Sequence, residues 1–289
     1  MNDDVEVARS GFVAVVGRPN AGKSTLVNRM LGQKVSIVSD KPQTTRHRVL
    51  GVLHRGDAQA VLVDTPGLHK PVTALGERLN ATAHESLSDV DVVLVVIDAT
   101  RPVGSGDRWV LERTPRDAII VLNKVDAAPP DLIARQLAAL AGEDRAAYFP
   151  VSARTGDGVE ALVADVLDRL PEGPAYFPPG EVTDMPEPAF VAELVREQLL
   201  RVLREELPYS VATRIAAWDW PHVQVDILVE RESQKGMVIG KGGSVLKQVG
   251  TRVREQLADG AYLELKVRVL KDWQQRPELV DRALDLGDE

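Results

Sequence analysis

Apolar and polar positions along this chain follow two rhythms, and they predict alternating strands and helices. Phe12-Val13-Ala14-Val15-Val16 is a short, continuous, β-branched apolar run, as expected of a buried strand. Thr25 to Leu31 reads as the first turns of a helix. Residues 32 to 49 are polar and poorly periodic, which predicts a mobile loop. Val49 to Leu53 and Ala58 to Val63, split by His54-Arg55-Gly56-Asp57, predict a hairpin with a Gly-Asp turn. A helix from about Leu75 to Ser88, a buried strand from Asp91 to Asp98 and another from Ala118 to Leu122 follow. Then come a helix over Asp131–Ala141, a strand over Tyr148–Val151 and helical periodicity over Val159–Leu170. This alternation predicts an α/β, doubly wound, mostly parallel sheet, with ligands at the carboxyl ends of its strands.

The pattern then breaks. Pro171, Pro174, Pro178, Pro179, Pro186 and Pro188, mixed with Gly173 and Gly180, are too dense for a helix or a central strand. We read residues 1–171 as one domain, 172–189 as a Pro-rich linker and 190–289 as a second, smaller α+β domain. The latter opens on an amphipathic helix, Phe190 to Glu206, carrying Val191, Leu194, Val195, Leu199, Val202 and Leu203. Strands over Val211–Trp218 and Val223–Glu230 follow, the second alternating Val223, Val225, Ile227 and Val229. Gly236 to Gly243 leads into a helix over Ser244–Ala258, a strand over Tyr262–Leu270 and a last helix over Pro277–Leu286. The order α-β-β-α-α-β, with Gly-x-x-Gly between the middle helices, resembles a type II KH domain.

Composition narrows the function classes. The chain has 289 residues and a net charge of −8, so any nucleic-acid site must be a local patch. It has no Cys, which excludes disulfides, thiol nucleophiles and Cys-ligated zinc and fits a reducing cytoplasm. Met1-Asn2-Asp3-Asp4 has no signal-peptide pattern, and apolar runs such as Val92 to Ile97 are too short to span a bilayer. His47, His54, His69, His84 and His222 show no metal-ligand spacing. Trp218, Trp220 and Trp273 read as core or interface residues rather than base-stacking platforms.

The chemistry lies in short motifs. Gly17-Arg18-Pro19-Asn20-Ala21-Gly22-Lys23-Ser24 fits G-x-x-x-x-G-K-[ST] between a strand and a helix. Backbone N–H groups there, with Thr25 just beyond, cradle phosphates, and the helix N-terminus favours negative charge. Lys23 supplies a point charge to the β- and γ-phosphates, and Ser24 a hydroxyl to Mg²⁺. Asp64-Thr65-Pro66-Gly67 supplies a carboxylate that holds Mg²⁺ through water and a Gly67 N–H for the γ-phosphate. Thr45, or else Thr44, completes the metal shell. Asn123-Lys124-Val125-Asp126 selects guanine: the Asp carboxylate accepts from N1 and the exocyclic amine, and adenine leaves it unpaired. Ser152-Ala153-Arg154 reads as the loop whose backbone meets guanine O6. Loss of the γ-phosphate releases the 42–48 and 68–72 loops, an order–disorder switch. Leu68 stands where Ras-type enzymes carry a water-orienting Gln, so hydrolysis is expected to be slow. In the second domain, Gly240, Lys241, Gly242 and Gly243 let backbone N–H groups approach a sugar-phosphate chain. Arg231, Lys235, Lys247, Arg252 and Arg254 offer a basic patch beside them.

Together with Gln43-Thr44-Thr45-Arg46-His47-Arg48, Leu68-His69-Lys70, Pro208-Tyr209-Ser210 and Glu230 to Gly236, these motifs resemble the Era family of GTPases over nearly the whole chain. Met185 departs from the family pattern, which has Arg there. The resemblance implies a P-loop GTPase with a C-terminal KH domain, binding GTP and GDP. It also implies binding to small-subunit (16S) ribosomal RNA near its 3′ end and a role in 30S subunit maturation. A cytoplasmic location with peripheral association with the inner membrane is implied by the resemblance alone. Resemblance to potassium-dependent GTPases with the same Pro-Asn-Ala-Gly-Lys-Ser loop suggests K⁺ held near the phosphates by Asn20; the alternative is that Asn20 only caps a turn. Catalysis is thereby assigned to Asn20, Lys23, Thr45 and Gly67, and we expect a monomer. Two other readings remain open at this level: a GTP-dependent switch acting on a protein or membrane partner, and an RNA-binding scaffold with a vestigial nucleotide site. Intact Lys23, Ser24, Asp64 and Asp126 argue against the scaffold.

Overall fold

The computed structural model describes residues 9–68, 71, 73–87 and 89–284. The acidic Met1–Asp4 segment, His69 and Lys70 of the 68–72 loop, Val72, Ser88 and Leu286 lie outside the described residues. The chain forms two compact units, one within residues 1–36, 45–70 and 79–184, the other within 37–44, 71–78 and 185–289.

The first unit is built on β1 (Arg9–Gly17), α1 (Lys23–Leu31), β2 (Val49–Arg55), β3 (Ala58–Asp64), the C-terminal part of α2 (Ala74–Glu85), β4 (Val92–Asp98) and α3 (Ser105–Leu111). β5 (Ile119–Asn123), α4 (Pro130–Ala141), β6 (Ala147–Val151) and α5 (Val159–Asp168) complete it. The six strands run in the order β2-β3-β1-β4-β5-β6, all parallel except the β2–β3 hairpin. Val13, Val15, Val16, Leu62, Leu94 and Ile119 to Leu122 are fully buried, each contributing about 1.5–3 kcal/mol through its side chain. β2 runs two residues further than the apolar pattern marks, because His54 and Arg55 keep their ladder partners Gln59 and Ala58 while exposing their side chains. The sequence pattern carries no sign of α3: it is seven residues long, contains Gly106, and is started by Asp107, whose carboxylate accepts the Gly104 N–H at 2.9 Å.

The Pro-rich stretch is held against the first unit from Glu172 to Val182. Arg9 bridges Glu172, Ser10 Oγ donates to Pro174 O at 2.6 Å, and Val52 N–H donates to Val182 O at 2.8 Å. The buried Gln59 amide accepts from Tyr176 and Phe177 N–H and donates to Phe177 O. Proline cannot continue a ladder, but its carbonyl still accepts, so the stretch lies as a strap on the sheet. The segment read as a mobile loop has no helix or strand before Val49, yet it is anchored: Asn28 Oδ1 accepts the Val35 and Ser36 N–H groups at 2.9 and 3.0 Å.

The second unit contains α6 (Glu187–Val202), α7 (Leu207–Ser210), β7 (Ala212–Asp219), β8 (His222–Val229), α8 (Glu232–Ile239), α9 (Ser244–Arg254), β9 (Tyr262–Val269) and α10 (Pro277–Leu284). Its sheet runs β7-β8-β9, with β7–β8 antiparallel and β8–β9 parallel. That order, with α8 and α9 between β8 and β9, is the type II KH arrangement. α6 begins before Phe190 because Pro186 caps it and Pro188 sits in its first turn, where a missing N–H costs nothing. Val191, Leu194, Val195 and Leu199 of α6 pack on Val223, Val225, Ile227 and Val229 of β8, with Val249 and Val253 of α9. Ile37 joins this core, Val38 N–H donates to Glu197 Oε1 at 3.0 Å, and buried Arg196, paired with Glu193, donates to Thr44 O. Trp273 is fully buried with Nε1 donating to Ser210 O, as a core residue should be; Trp220 is 40% exposed.

Candidate functional site

The phosphate loop turns between β1 and α1. Gly22 lies in the left-handed region at φ 95°, and a Cβ there would stand 2.3 Å from Asn123 Nδ2. Only glycine meets both demands. Lys23 is buried, with Nζ 3.3 and 3.4 Å from the carbonyls of Arg18 and Gly17. Burial pushes its pKa down to about 8, against the opposing pull of Asp64. Asp64, at the end of β3, is completely buried, and burial raises its pKa. Lys23 and the Ser24, Ser36 and Thr45 hydroxyls oppose that rise, yet neither carboxylate oxygen makes a hydrogen bond of good geometry. Ser24 Oγ and Thr45 Oγ1 are 2.9 Å apart, while Thr44 Oγ1 is turned to Lys41 O at 2.6 Å. A buried carboxylate beside the Ser24 and Thr45 hydroxyls is a hard-oxygen set suited to Mg²⁺. Gly67 approaches Pro19 so closely that a Cβ would lie 2.6 Å from its nitrogen.

The residues read in the sequence as guanine contacts come together at the ends of β5 and β6. Asn123 is buried: its Nδ2 donates to Ala21 O and its Oδ1 accepts the Ala153 N–H, both at 3.0 Å. It therefore braces the phosphate loop against the 152–154 loop. Lys124, at φ 69°, donates from Nζ to Asn20 O at 2.6 Å and to Asp98 Oδ2 at 2.7 Å. Asp126 accepts from Ser152 Oγ at 2.6 Å and pairs with Arg154 at 2.5 Å. The Ser152 hydrogen bond first, then the Arg154 charge, hold its carboxyl below the usual range. Asp126 is thus ionised and aimed, an acceptor for a donor–donor edge.

In the second unit α8 ends at Ile239 and α9 begins at Ser244. Gly240, at φ 74°, has no room for a Cβ, which would meet Val245 Cγ2 at 2.6 Å. Gly242 and Gly243, also left-handed, face open space to 4 Å, and Lys241 is exposed beside them. Arg231 caps α8, Lys235 pairs with Glu232, and Lys247 is exposed on α9. Arg252 and Arg254 do not join them; the helical rise sets them about 12–15 Å from Ser244 along α9.

Residues 12–124 match the family described as "50S ribosome-binding GTPase", and residues 206–274 match the KH domain. "GTPase Era" of Mycolicibacterium smegmatis is 47% identical over 289 aligned residues, covering 93% of this chain and 96% of that one. The chain belongs to the Era family of GTPases. Its Mycobacterium avium relative is 46% identical, over 95% of this chain and 98% of its own. A solved structure of Era with MgGDPNP and nucleotides 1506–1542 of 16S ribosomal RNA shares 37% identity and a TM-score of 0.91, covering 97% of this chain and 99% of that one. An Aquifex aeolicus Era variant bound to GDP and AlF4⁻ shares 37% identity and a TM-score of 0.89, with 96% and 99% covered.

In this Era-family chain Leu68 is 1% exposed and packs with Ala14, Val16, Val93 and Val95, so its side chain holds no water. Asp98, which holds Lys124 and accepts from Thr100, escaped sequence reasoning. Its one signal is a carboxylate at the carboxyl end of a buried strand. Among the described residues no group of three or more His, Cys, Asp or Glu is placed to hold a metal ion, and no helix is long and apolar enough to cross a membrane.

Proposed function

We propose that this chain binds and hydrolyses GTP, binds small-subunit (16S) ribosomal RNA near its 3′ end through its KH loop, and assists maturation of the small subunit. The observation that carries this reading is the meeting, at one end of the six-stranded sheet, of Lys23 and Asp64 with the ionised Asp126 carboxylate. The relative solved with 16S ribosomal RNA and the open face over Gly242 and Gly243 support the RNA assignment.

The loop from Arg18 through Thr25 surrounds the β-phosphate with N–H donors, Lys23 neutralises the β,γ oxygens, and the Gly67 N–H meets the γ-phosphate. Asn123 braces, Lys124 covers and Asp126 reads the guanine, with the Ser152-Ala153-Arg154 backbone at its O6. Mg²⁺, when held by Ser24, Thr45 and, through water, Asp64, supplies charge that neutralises the phosphates of the nucleotide. In hydrolysis water attacks the γ-phosphorus, the bond to the β–γ bridging oxygen breaks, and GDP and phosphate leave. With Leu68 buried, no side chain at that position orients the water. We assign compensation to the exposed Asn20, whose amide oxygen is a donor of the kind K⁺ takes. Turnover should be faster in K⁺ than in Na⁺, and Asn20→Ala should remove the difference. An arginine finger is worth roughly 10³–10⁵ in rate, of which a bound cation would recover part. Equal phosphate release in the two salts at matched ionic strength would refute the Asn20 assignment. Peripheral membrane association and a monomeric state complete the proposal.

Gly242→Asp tests the RNA site. A carboxylate in the open space above the loop faces the phosphates, and affinity for an RNA of the small-subunit 3′ end should fall by about tenfold or more. GTP affinity should stay as in the wild type. Undiminished RNA binding by filter retention would place the RNA elsewhere.

A further inference from the structure

The guanine-facing loop 152–157 closes on itself: Ser152 N–H donates to Asp157 O and Gly156 N–H to Ser152 O. Such a turn fixes its own shape but not its tilt toward the base. Tilt needs anchors outside it, and two side chains outside the turn hold the 153–154 backbone. One is Asn123, already placed in the site. The other is Arg29, on the last turn of the phosphate-loop helix α1. Its Nε donates to Ala153 O at 2.9 Å and its Nη2 to Arg154 O. Its Cδ and Nη1 lie about where a Cβ on Gly156 would touch them, at 3.9 and 4.0 Å, so the guanidinium runs beneath the whole turn.

We infer that Arg29 is a positioning residue for guanine specificity, setting the direction of the peptide N–H that meets the purine 6-position. The argument is the planarity of the peptide unit. Ala153 O and Arg154 N–H belong to one trans peptide and point in opposite directions. Drawing the carbonyl down onto Arg29 therefore aims the Arg154 N–H away from α1. The Ala153 N–H is already given to Asn123, and the Thr155 N–H to Ser152 Oγ at 3.1 Å. The Arg154 N–H is given to no backbone carbonyl among the described residues, and it is the donor we assign to a purine O6. A guanidinium suits this work because its rigid fork meets two successive carbonyls at once. The same contact, together with Asn123, ties the 152–157 loop to the helix that follows the phosphate loop.

The inference rests on the nucleotide reading above. Its test uses GDP and 6-thio-GDP at pH 7, which differ only in the acceptor at the purine 6-position. Full-length wild-type protein should prefer GDP by about five- to tenfold, the worth of one hydrogen bond to a strong acceptor. Arg29→Ala should weaken GDP and bring the two affinities within about twofold. Arg29→Lys, which reaches one carbonyl, should fall between. A wild-type ratio near one would overturn the O6 reading itself. A wild-type preference that persists in Arg29→Ala would overturn the role of Arg29, and so would an equal loss for both nucleotides. A lowered melting temperature with the preference retained would make Arg29 a structural residue only.

Discussion

Titration of GTP and Mg²⁺ into the Lys23→Ala variant is expected to show affinity lower by about a hundredfold or more. A charge-assisted hydrogen bond contributes about 1.5–3 kcal/mol, and in the proposed reading Lys23 supplies such bonds to two phosphates. The surroundings strengthen the argument. Lys23 is buried, and its ammonium pKa stands near 8 without nucleotide. Phosphate stabilises the ammonium form, so binding raises this pKa. Between about 8 and the bound value, binding must take up a proton, and wild-type affinity should fall as pH rises, by at most about tenfold per unit. Below pH 8 the lysine is already charged and the dependence should be flat. In Lys23→Ala the slope above pH 8 should vanish together with most of the affinity. Calorimetry in buffers of different ionisation enthalpy reads the proton uptake directly. Near wild-type affinity in the variant would remove Lys23 from the phosphate site.

Asp126→Asn is expected to reverse the choice of base. The wild-type carboxylate is held ionised by Ser152 and Arg154, and in the proposed reading it accepts two hydrogen bonds from guanine N1 and the exocyclic amine. An amide keeps the shape and half the acceptor capacity, and turns one acceptor into a donor. Guanine then faces a donor with its own donor, while xanthine offers an oxygen where the amine was. Losing two charge-assisted bonds weakens GTP by roughly 10²–10⁴-fold. Xanthosine triphosphate should become the tighter ligand, in line with the discrimination that pockets lined by hydrogen-bonding groups achieve. Competition between the two triphosphates decides it; an unchanged preference for GTP would take Asp126 out of the base site.

The fold class and the nucleotide chemistry were legible in the chain because they are written in short, local patterns. A β-branched run before Gly17, the Gly22-Lys23-Ser24 turn and the alternation through Val223, Val225, Ile227 and Val229 each constrain backbone within a few residues. Their meaning depends little on what packs against them. The KH loop was legible for the same reason: Gly240 answers a local clash with Val245.

Tertiary structure decided what the side chains at the ends of those patterns do. Asn123 reads, in sequence, as a base contact; only the parallel register of β5 between β4 and β6 shows it bracing Ala21 and Ala153. Asp98 meets Lys124 because β4 and β5 end level, and Arg29 meets Ala153 across 124 residues of chain. The stretch from Glu172 to Val182 reads in sequence as a Pro-rich linker, and only the fold shows Gln59 and Val52 holding it. Each of these depends on strand order and register, which are set by burial summed over the whole sheet. A motif fixes its own backbone by sterics and hydrogen bonds a few residues long. Its partners across the sheet are chosen only when the core closes.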